Sequence, residues 1–108
     1  MNWQKIVKDA KVALSRASHG KSPVRVLVPW HEIVTSGDME VIIEVEGFKL
    51  RLLDIAGYDY GRPHLVRIDT PDGETVGQRR VNYEIPRPEW RRLGVVIATA
   101  AQVMEQAR

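Results

Sequence analysis

The chain has 108 residues and a mass of 12.3 kDa, with 44% apolar and 28% charged residues, the balance of a single ordinary globular domain. It contains no cysteine, which excludes disulfides and thiolate metal sites and fits a reducing compartment. The net charge of +2 is unevenly spread: residues 1–30 hold six basic residues against one acidic, 31–60 two against seven, and 61–108 eight against six. Either that segregation steers a charged partner to one face, or a basic helix and an acidic hairpin attract each other within the fold.

The N-terminal segment predicts an amphipathic helix. Asn2 is placed to cap it and Gly20 to end it in the left-handed conformation. Trp3, Ile6, Val7, Ala10, Leu14 and Ala17 recur at helical spacing and predict one buried stripe. Lys5, Lys8 and Arg16 project from the other side, with Lys11 at its margin and Val12 among the charges. Lysines also interrupt the stretch where a signal peptide would carry its apolar core. No apolar run approaches the roughly 20 residues of a membrane helix. The expectation is a cytoplasmic protein with no membrane contact.

A strand follows at "PVRVLVPW", where Val24, Val26 and Val28 alternate with Arg25 and Leu27. Pro29 cannot donate to a ladder, so it ends this strand or lies on an edge. Beside it, Trp30 reads as a lid on the core, with an exposed anchor as the alternative. The chain then turns at Ser36-Gly37-Asp38. The segment "EVIIEVEGFKLRLLDI" predicts a hairpin with Glu46-Gly47 as a two-residue turn, a bulged turn at Gly47 being the close alternative. That register faces Val45 with Phe48, Ile43 with Leu50 and Val41 with Leu52 on one side. Glu44 faces Lys49 and Ile42 faces Arg51 on the other.

"HLVRIDT" and "ETVGQRRVNYEI" read as two further strands joined by a turn that starts at Thr70, with Gly77 marking a bulge. A last helix is expected from Pro88 to Ala107, burying Trp90, Leu93, Ile97, Ala101 and Met104. Its stretch "GVVIATAA" is apolar almost all round, so a second face, with Val95 and Val96, is expected to be covered either within the fold or by another chain. Short connections favour antiparallel pairing. The predicted architecture is a single two-layer α+β domain over 1–108: an antiparallel sheet of about five strands covered by an N-terminal and a C-terminal helix, in the order α-β-β-β-β-β-α.

No phosphate-binding glycine loop, nucleophile elbow or zinc-helix motif is present, and no cofactor is expected. His19, His31 and His64 lack the usual metal-ligand spacings, so no metal site is expected either. The loop "AGYDYGRPH" places Tyr58, Tyr60, Arg62 and His64 between two strands. Tyrosine and arginine are hot-spot residues in protein interfaces. With Val95 and Val96 they predict a small non-catalytic domain that works through protein–protein contacts, self-associating as a homodimer or holding another protein. Nucleic-acid binding is the alternative, through Lys5, Lys8, Lys11 and Arg16 with Arg79 and Arg91, tyrosines stacking on bases. Arg79 and Arg80 are adjacent on a strand and face opposite ways, which divides that second cluster. A third reading is a small enzyme with an acid/base site at the Asp54–His64 loop.

Overall fold

The computed structural model describes residues 2–34, 37–54, 63–82 and 93–105; at 63, 64, 80–82, 93–96, 99 and 105 it describes the backbone alone. Helix α1 spans Trp3–Ser18. The Asn2 side chain accepts a hydrogen bond from the Lys5 N–H at 3.2 Å, satisfying one of the donors that a helix start leaves open. At the other end Gly20 takes φ +72. Its N–H donates to the Ala17 carbonyl and that of Lys21 to Arg16, the paired bonds of a Schellman stop. Val7, Ala10, Ala13, Leu14 and Ala17 are buried, with Ile6 half-buried. Trp3 departs from the predicted stripe and is 39% exposed. Its helical angle is right, but it stands at the open end of the stripe, in the first turn.

Among the described residues, five strands follow in a meander, each paired antiparallel with its neighbours in sequence. They are β1 (Val24–Glu32), β2 (Met39–Val45), β3 (Phe48–Asp54), β4 (Pro63–Asp69) and β5 (Thr75–Asn82). The β2–β3 hairpin has the register expected from its apolar pairs, Val45 opposite Phe48, Ile43 opposite Leu50 and Val41 opposite Leu52. Glu46 (φ 49) and Gly47 (φ 87) both lie in the left-handed region, the two-residue turn that matches the twist of a hairpin. In the β4–β5 turn the Gly73 N–H donates to the Thr70 carbonyl at 2.9 Å, and the Thr70 hydroxyl accepts from the Glu74 N–H. The two turns lie side by side, since a Cβ on Gly47 would stand 3.2 Å from Pro71 Cγ.

One face of the sheet carries the core. Val41, Ile43, Val45, Leu50, Leu52, Val66 and Ile68 are buried there, alternating with residues on the other face as a half-covered sheet requires. Two helices cover it, α1 and a helix α2 over Leu93–Glu105, packed against each other. α2 buries Ile97, Ala100, Val103 and Met104 and leaves Ala98 and Gln102 exposed. The stripe therefore holds Ile97 and Met104 as predicted, with Ala100 and Val103 buried more deeply than the half-buried Ala101. The predicted helix residues 88–92 and 106–107, with Trp90, lie outside the described residues.

The regular alternation expected of β1 does not hold. Val26 pairs with Ile43 on the helix-covered face, but register shifts on either side of Val28 place Val28 opposite Ile42 on the other. Such bulges oppose two residues to one and switch the face that later side chains reach. In β5 the irregularity falls at the end nearest the turn, where Asp69 pairs with Thr75 and Ile68 with Gly77, so Val76 is the extra residue. Val76 is buried in the core cluster. Gly77 itself clears the path of α2, because a Cβ there would lie 3.3 Å from Met104 Sδ.

Candidate interaction surfaces

Among the described residues, β1 has β2 on one side and is an edge of the sheet on the other. Pro29 sits within this strand, as an edge allows. Five large apolar side chains among the described residues are exposed. Three of them lie on β1 or just beyond it: Val26 at 47%, Leu27 at 37% and Val34 at 96%. The remaining two, Trp3 and Val12, are on α1. Trp30 is half-buried and packs on the core, as a lid would. The bulges and Pro29 interrupt the straight row of backbone donors and acceptors that a long added strand needs. A partner at this edge therefore meets short backbone runs and the apolar side chains beside them.

The second surface is the outer side of α1. Lys5 and Lys8 are exposed there and Lys11 is half-buried. Asp9 approaches Lys5 at 3.8 Å, a long and solvent-exposed pair. Lys8 and Lys11 have no ion pair among the described residues. Arg16 is engaged elsewhere: its guanidinium donates to Glu46 Oε1 at 3.1 Å, while Ser22 Oγ donates to Oε2 at 2.8 Å. At this point the basic helix and the acidic hairpin do attract each other. Only Arg16 of the four basic helix residues takes part.

The sheet face away from the helices is a lattice of crossed charges. Arg25 pairs with Glu44 across β1 and β2 at 3.1 Å. Arg51 grips Glu40 side-on, Nε and Nη2 donating to the two carboxylate oxygens at 2.8 and 3.1 Å. Glu40 is 4% exposed, so two charge-assisted bonds offset the desolvation of its carboxylate. Arg67 donates to both oxygens of Asp69, and that bond and the adjacent charge raise its pKa above the usual arginine value. Sequence reading anticipated the alternation on this face but not these pairings. Glu40–Arg51 is diagonal, and only the sheet register places the two groups within reach.

Asp54 and His64 are direct cross-strand partners on β3 and β4, at the sheet end next to residues 55–62. Asp54 is fully buried. The enzyme reading therefore has its two residues opposite each other in the register, with the Asp54 carboxylate buried. Comparison with family models, with curated proteins and with solved structures finds no match to this chain. Tyr58, Asp59, Tyr60, Arg62 and Arg91 lie outside the described residues. Val95 and Val96 are backbone positions in the first turn of α2. Arg79 pairs with Val66 and is exposed on edge strand β5, on another element from the α1 lysines. No helix of the described residues is long and apolar enough to cross a membrane, and no three potential metal ligands gather among them.

Proposed function

We propose that this chain is a small binding domain that acts through protein–protein contacts, with β1 as a contact edge and self-association as its first form. The exposure of Val26 and Leu27 on edge strand β1, with Val34 just beyond its end, carries this reading. Apolar groups exposed along a sheet edge gain by covering, each Å² removed from water contributing about 25 cal/mol. Tyr58, Tyr60, Arg62 and His64, in and beside the β3–β4 connection, and Val95 and Val96 of α2 are further proposed contact residues.

Sedimentation velocity over a range of concentrations tests it, with wild type beside a Val26→Lys/Leu27→Lys variant. Both positions are exposed, so the variant keeps the fold, verified by its circular dichroism. Wild type is expected to dimerise with rising concentration, or to retain from a lysate a protein that the variant releases. A wild type that stays monomeric and retains nothing the variant loses would sink the proposal.

A further inference from the structure

A second surface, independent of β1, points to another kind of partner. We propose that the outer face of α1 binds the phosphate backbone of a nucleic acid through Lys5, Lys8 and Lys11. Three observations select this occupant. The lysines stand at i, i+3 and i+6 on one rigid helix, in a ridge that rises 4.5 Å per step at 1.5 Å per residue. Lys8 and Lys11 are not neutralised within the described residues, and the acidic neighbour Asp9 reaches Lys5 only at 3.8 Å. Lysine supplies all three cations of the patch, since Arg16 is tied down by Glu46, and the exposed Val12 and Asp9 stand among them.

Those features separate the candidate polyanions. A protein interface favours arginine and aromatic residues and is depleted in lysine, so an acidic protein is the poorer fit. A membrane-surface helix needs its apolar stripe free to enter the lipid, and here Val7, Ala10, Leu14 and Ala17 are buried against the rest of the domain. What remains is a row of point charges at fixed spacing. Phosphates are contacted that way, positioning the protein without reading sequence.

The test is fluorescence anisotropy of labelled mixed-sequence DNA, single- and double-stranded, across a salt series. Three phosphate contacts predict a roughly 40-fold loss of duplex affinity between about 50 and 200 mM salt. A Lys5→Gln/Lys8→Gln/Lys11→Gln variant is expected to lose this binding. Lys49→Gln, on the opposite face of the sheet, is expected to keep it. Vesicles containing phosphatidylserine and a polyglutamate chain serve as competing polyanions. No binding at the lowest salt overturns the proposal. So does binding that survives the triple variant, or equal affinity for vesicles or polyglutamate.

Discussion

Glu46 holds a backbone angle that favours glycine or asparagine, at φ 49. For a residue with a Cβ the left-handed region costs roughly 1–2 kcal/mol. Its carboxylate explains the choice: Arg16 and Ser22 both donate to it, tying the turn to the end of α1 and the chain beyond it. Exposed contacts of this kind contribute about 1 kcal/mol or less. Glu46→Ala keeps the backbone strain and loses both contacts, so urea unfolding should show it about 1 kcal/mol less stable than wild type. Glu46→Gly loses the contacts and the strain together, and is expected to be more stable than the alanine variant. The reverse order would mean that the turn is not strained. The sequence shows the glycine and the apolar pairs that set the hairpin, but nothing local announces that Glu46 will meet a helix 30 residues earlier.

At the scale of elements, β1 and β5 show how an edge departs from a regular pattern. Both carry a register shift where central strands β2 and β3 carry none. An edge strand bonds on one side only, so an extra residue disrupts a single ladder. Alternation in "VRVLV" suggested one apolar face, yet the bulges divide Val26 and Val28 between faces. In β5, Gly77 lies under Met104. Gly77→Ala requires Met104 Sδ to move a few tenths of an ångström, which a flexible side chain allows, at a cost below about 1 kcal/mol. Gly77→Val adds bulk in a packed layer and should cost roughly 1–3 kcal/mol. Thermal unfolding of the two variants separates these outcomes. Equal stabilities would show that α2 does not press on this position.

For the whole molecule, the sheet contributes one half of the core and cannot bury it alone. Leu50, Val66 and Ile68 are fully buried, and α2 supplies Ile97, Ala100, Val103 and Met104 to the same cluster. A chain truncated before Leu93 would expose that part of the apolar face to water. It is expected to lose its cooperative unfolding transition, as calorimetry would show. A sharp transition that persists in the truncated chain would mean that α1 and the sheet form an independent core.

Local rules determined much of this protein from sequence alone. Caps at Asn2 and Gly20, the turn at Glu46-Gly47 and that at Thr70 each depend on neighbours within a few residues, where side-chain chemistry and backbone sterics act directly. The order of elements follows for the same reason, because short connections leave consecutive strands little choice but to pair. Tertiary structure alone decided which charges are used up and which are displayed. Arg16 and Lys8 look alike in the sequence, and only the approach of the β2–β3 turn to the end of α1 neutralises one and leaves the other facing water. The exposure of Val26 and Leu27 was settled likewise, by the place of β1 at the edge of the sheet.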